Sequence, residues 1–135
     1  MKITISTITQ KDLPLTWEAF TKPEHIVNWY FASPDWHSPR ASNNLQVGSS
    51  FNIRMEARDQ SAGFDFEGFY DEIKVHEKIV YHLADNRVVE TTFKKTDSGA
   101  HVTQMFDTED IHSAELQKNG WQSILDNFCK YTNEL

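Results

Sequence analysis

The chain has 135 residues, of which 39% are hydrophobic, 24% charged and 13% aromatic. That length suits a single domain, and so many rings beside only five glycines and four prolines exclude a disordered or low-complexity chain. Thirteen basic against twenty acidic residues leave a net charge of −7, which repels phosphate backbones and anionic lipid alike, so neither nucleic acid nor membrane is an expected partner. No apolar run approaches the roughly 18 residues of a membrane span. The opening MKITISTITQ lacks a signal-peptide apolar block. The single Cys129 permits no intramolecular disulfide and suits a reducing, cytoplasmic setting.

Lys2–Thr9 reads as a strand, with Ile3 and Ile5 on one phase and Ile8 off it. Asp12 is placed to cap a short helix carrying Pro14, Leu15, Trp17, Ala19 and Phe20. Thr21 is placed to cap a second, with Pro23 just inside and Ile26, Val27, Trp29 and Tyr30 as its apolar stripe. Ala32–Gly48, rich in Ser, Pro and Asn, predicts an irregular loop of the kind that acts as a lid. From Ser49 the apolar period becomes two. Phe51, Ile53, Met55 and Ala57 alternate with polar residues. Phe64–Val75 reads as a long strand whose apolar phase slips from even (Phe64, Phe66) to odd (Phe69, Ile73, Val75), and Gly68 is the expected place of a bulge. Strands around Ile79–Leu83, Val89–Phe93 and Val102–Phe106 follow across short turns, which makes the sheet antiparallel. After His112 the period returns to 3.6. Ser113 is the expected cap of a helix whose stripe is Leu116, Gly120, Ile124, Phe128, Tyr131 and Leu135, widened by Trp121 and Leu125.

An antiparallel sheet must cover one face, and the C-terminal helix is the only element long enough to do so. The order therefore predicts an α+β fold: a curved sheet wrapped around one long helix, closed at one end by two short ones.

Particular segments add to this. Pro23-Glu24-His25 followed by Trp29 resembles the second-helix motif of the START-like (SRPBCC) helix-grip proteins. Val47-Gly48-Ser49-Ser50-Phe51, Gly68–Ile73 with Lys78–Tyr81, and Asn119-Gly120-Trp121 with Leu125–Phe128 resemble, more narrowly, the family named for homology to the activator of heat shock protein 90 ATPase. Ser49 replaces the second Gly of the family's turn, and His76 and Lys78 stand where Pro and Arg are frequent. The resemblance covers Pro23 to Tyr131 and implies the helix-grip (Bet v 1-like) fold over residues 1–135 as a stand-alone domain. Folds of this kind host ligand carriers, cyclases and co-chaperone domains, so the site must be argued from residues.

Six histidines are present, but none forms an i, i+4 pair and no Cys joins them at metal spacing, so no metal or other cofactor is expected. The inward phases hold no carboxylate pair and no Ser–His combination, so catalysis is the less favoured reading. Gln104 interrupts Val102 and Phe106 on the inward phase, and a buried amide there needs Tyr81 or Thr91 as partner or serves to anchor a ligand. The inner face being aromatic and poor in charge, the expected function is to hold a small hydrophobic or aromatic ligand between sheet and C-terminal helix. The expected lining is Phe51, Ile53, Met55, Phe69, Tyr81, Gln104, Trp121, Leu125 and Phe128, with Trp36 as a lid over the mouth. The alternatives are a polyketide cyclase or aromatase-like enzyme acting by substrate positioning, and an interaction module, either a homodimer or a chaperone partner, with an exposed apolar patch.

Overall fold

The computed structural model describes residues 1–135. Its seven strands are β1 (Lys2–Thr9), β2 (Trp36–Asn43), β3 (Ser50–Ala57), β4 (Gly63–Lys74), β5 (Lys78–His82), β6 (Val88–Lys95) and β7 (Ala100–Asp107). The helices are α1 (Leu13–Thr21), α2 (Pro23–Ile26) and α3 (Ala114–Asn133). The strands form one curled antiparallel sheet in the order β1-β7-β6-β5-β4-β3-β2. Because β1 and β2 occupy opposite edges, the chain between them must cross the open face of the sheet, and α1 and α2 make that crossing. The α3 helix then fills the concave side.

Local chemistry accounts for most element ends. Asp12 caps α1 by accepting from the Leu15 N–H at 2.9 Å, and Ser113 caps α3 by accepting from the Leu116 N–H at 3.1 Å. Thr21 does not cap α2. It is the last residue of α1, its hydroxyl donating back to the Trp17 carbonyl at 2.8 Å, and Lys22 takes the cap position. Ala32–Gly48 is not all loop either: Trp36–Asn43 pairs with β3 as an edge strand. Its polar sequence carries no alternation because an edge strand with a register shift between His37 and Arg40 buries little.

The slip in β4 is real, but it lies at Asp71 rather than Gly68: Tyr70 pairs with Tyr81 and Glu72 with Val80. The inward phase is therefore Phe66, Gly68 and Tyr70, then Ile73. Gly68 has another cause. A Cβ there would collide with the rings of Phe51 and Tyr81, which pack over its bare backbone. The α3 stripe is also rotated from the expected one. Leu125, Phe128, Gln117 and Thr132 are buried, whereas Leu116 and Leu135 are exposed. The core joins Ile3 and Ile5 of β1, Trp17, Trp29, Val89, Val102, Phe106, Leu125 and Phe128 in one cluster.

Candidate functional site

Two concavities lie inside the curl. The inner one is a cavity of about 30 Å³ lined by twelve residues, among them Ile26, Tyr30, Asn43, Phe51, Tyr70, Tyr81 and Gln104. A water in the liquid takes up about 30 Å³, so this space is small. Its walls are apolar with a set of neutral polar groups converging on it. The Tyr70 hydroxyl donates to Asn43 Oδ1 at 2.6 Å, and Asn43 Nδ2 donates to the Thr21 carbonyl at 2.6 Å. Gln104 Nε2 donates to Thr91 Oγ1 at 3.2 Å, one of the two partners expected for it. Burial pushes the phenols of Tyr30, Tyr70 and Tyr81 far above their ordinary range, so all three stay protonated hydroxyls at any physiological pH.

The outer concavity is a groove of about 260 Å³ where the β3–β5 side of the sheet meets α3. It is lined by Tyr30, Met55, Phe64, Phe66, Leu83, Trp121 and Ile124, with Arg87 at its edge. Trp121 lies flat on Phe106, ring centroids 4.2 Å apart and planes 11° apart, and meets Phe66 edge-on at 6.1 Å. Phe64 is 46% exposed. Tyr30 is the one residue that lines both concavities. Its ring is stacked on Phe66 at 5.7 Å.

Elsewhere the charges sit on the convex face, where Arg54 meets Glu56 at 2.8 Å and Lys78 meets Glu90 at 3.4 Å and Glu72 at 3.5 Å. Their exposure makes these pairs solvation features worth little stability. No group of three His, Cys, Asp or Glu side chains is arranged to hold a metal ion. No helix is long and apolar enough to cross a membrane.

The sequence pattern of the family described as Activator of Hsp90 ATPase homolog 1-like protein matches residues 13–133. The chain belongs to that family. A solution structure of an AHSA1-like protein from Aeromonas hydrophila is 36% identical, with 99% of this chain and 93% of that one covered, at a TM-score of 0.93. A Cytophaga hutchinsonii protein is 38% identical, covering 98% of this chain and 92% of its own, at a TM-score of 0.85. A Nitrosomonas europaea protein shares the fold at 15% identity and a TM-score of 0.84, with 99% and 95% covered. Comparison with curated proteins gave no match.

Within this AHSA1-like fold the residues expected to line a site are divided among several places. Phe51, Ile53, Tyr81 and Gln104 line the inner cavity, and Met55 and Trp121 line the groove. Leu125 and Phe128 are buried core residues that reach neither. Phe69 points the other way: the regular register from Phe64 to Tyr70 turns it to the convex face, where it stacks on His82 at 5.4 Å. Trp36 opens β2 opposite Ala57, with its ring 5.9 Å from Phe64, so it stands beside the groove and lines neither concavity. Sequence reasoning missed Tyr30, Tyr70 and Asn43. Tyr30 and Tyr70 had readable signals, an aromatic on the α2 stripe and the even phase of Phe64 and Phe66 carried one step further. Asn43 has none, because its polar edge strand carries no alternation.

Proposed function

We propose that the protein binds a small hydrophobic or aromatic ligand at the seam between sheet and α3, with the ligand body in the outer groove. The observation that carries this reading is the groove itself: seven of its eight lining residues are apolar or aromatic, and it opens to solvent past the half-exposed Phe64. Its volume of about 260 Å³ is slightly below the roughly 300–1,000 Å³ usual for small-molecule sites, which suits a small ligand. Met55 adds an adaptable wall, since an unbranched thioether repacks easily around different shapes. The inner cavity is too small to hold such a body. Its polar lining is hydroxyls and amides, which favours binding over acid–base cyclisation, because proton transfer needs a group that titrates near the working pH.

The test is titration with N-phenyl-1-naphthylamine, read by dye emission and by quenching of tryptophan fluorescence. Saturable dye emission, weakened in Phe64→Glu without loss of folded structure, is the expected result. Absence of any saturable response in the wild-type chain would overturn the reading.

A further inference from the structure

Three side-chain groups facing the inner cavity have hydrogen-bonding capacity left over. Gln104 spends its Nε2 on Thr91, and no protein donor reaches its Oε1. Tyr30 and Tyr81 line the same space, and their hydroxyls hydrogen-bond to no third residue. Two neighbouring hydroxyls satisfy at most one O–H by pairing, so at least one is unspent. All three side chains are at least nine-tenths buried, at 9%, 4% and 6% exposure for Tyr30, Tyr81 and Gln104. A donor and an acceptor thus converge, unused, on a space big enough for one small polar group. Behind this space Asn43 and Tyr70 close the wall with each other.

Tyr30 is the one residue that lines both this space and the groove. The backbone around Tyr30 is clamped from both sides. The Ser38 hydroxyl donates to the Tyr30 carbonyl, and Asn127 Nδ2 donates to the Phe31 carbonyl at 2.6 Å. With the main chain held by β2 and α3, opening a path between the two spaces falls to the side chain, which packs between Trp29 at 5.1 Å and Phe66 at 5.7 Å. Arg87 is the only charged residue lining the groove, and it is shared with the adjoining cleft that holds Asp85. It is already held by Asp85 at 2.7 Å. A carboxylate ligand would have to displace that partner to reach it.

We propose that cavity and groove form one two-part site, joined when the Tyr30 side chain turns aside. It takes an uncharged ligand whose aromatic body fills the groove and whose terminal hydroxyl or carbonyl enters the cavity to meet Tyr81 and Gln104. This rests on the groove being the binding site, and it adds the ligand's polarity and orientation.

The probes are 2-naphthol, naphthalene and 2-naphthoate, followed by NMR on the labelled full chain. The Trp121 indole N–H reports the groove, and the Gln104 side-chain amide reports the cavity. Naphthalene and 2-naphthol both shift Trp121, and only 2-naphthol shifts Gln104. The affinity for 2-naphthol exceeds that for naphthalene by about three- to ten-fold, the factor expected of one buried hydrogen bond. That preference falls to about one-fold in Tyr81→Phe and in Gln104→Leu, which keep the packed volume and hence the fold. Equal affinities with Gln104 unshifted would overturn the two-part site while leaving groove binding in place. Binding of 2-naphthoate as tight as that of 2-naphthol would overturn the requirement for an uncharged ligand. No shift of Trp121 with any probe would overturn both this and the groove reading.

Discussion

The two flanks of α3 meet the sheet differently. Along β1 the helix is closely docked. Gln122 Nε2 donates to the Ser6 carbonyl at 3.1 Å, and the Cys129 thiol reaches the Ile8 carbonyl at 3.3 Å. Toward β3 and β4 it stands off, leaving the groove floored by Phe66 and Trp121. Side-chain size explains the contrast. β1 faces the helix with Ile3 and Ile5 and then the short Thr7 and Thr9, whereas β4 presents Phe64 and Phe66, whose rings prop the helix away. The docked flank supplies stability through buried apolar area, and the propped flank supplies accessible apolar surface. One helix serves both purposes because its two sides face strands of different bulk.

Breaking the buried packing of α3 should cost most. Phe128 is fully buried and meets Phe20 and Trp29 at 5.3 and 4.9 Å. Phe128→Ala is expected to lose about 3–5 kcal/mol, measured as a lower urea midpoint with unchanged slope. Gly68→Ala forces a methyl into the Phe51 and Tyr81 rings and is expected to cost about 1–3 kcal/mol, read in the same way. On the propped side, Phe64→Ala should change stability by no more than about 0.5 kcal/mol, since the ring is half in solvent. The same variant should weaken binding of N-phenyl-1-naphthylamine several-fold. A large stability loss in Phe64→Ala would mean that the groove is core rather than site.

The smallest expected effect lies at the β1 edge and depends on pH. Asp107 accepts from Lys2 Nζ at 2.6 Å and from the Val88 N–H at 2.8 Å, and the Lys2 hydrogen bond foremost holds its carboxyl below the ordinary 3.8. A carboxyl depressed in the folded state binds its proton more weakly there than in the unfolded chain. Its contribution is therefore complete above the ordinary value and is lost as pH falls below it. Asp107→Asn should flatten the loss of stability on acidification below about pH 4, seen in melting temperatures taken from pH 6 to pH 3. An unchanged acid limb would show that the pairing adds nothing to stability.

Where the sequence was legible, one rule governed a whole element. The period-two runs of β3, β6 and β7 came out with the expected faces inward, because strands with short turns on both sides have little freedom of register. The caps Asp12 and Ser113 were legible because capping is a contact over three residues. The misplacements occurred where two rules competed. In β4 the phase slip was visible, but either Gly68 or a neighbour could host it, and the packing of Phe51 over Gly68 made that residue a contact point while Asp71 took the bulge. In α3 an apolar stripe could be drawn through Leu116 and Leu135, but packing turns Gln117 and Thr132 inward instead and Leu135 lies beyond the last helical residue, which no local periodicity records.

The sequence by itself determined the class of the fold, the antiparallel order of its consecutive strands, the long closing helix and a charge-poor inner face. These follow from composition, period and capping, which act over a few residues. Only the tertiary structure decided which inward residues meet open space. That depends on the gap between α3 and each strand, set by the bulk of side chains far apart in the chain. Phe51 and Tyr81 thus line a cavity, Leu125 and Phe128 fill the core, and Phe69 lies on the convex face. The same distance in sequence hid Tyr30, which lines both cavity and groove because β2 and α3 hold the backbone there.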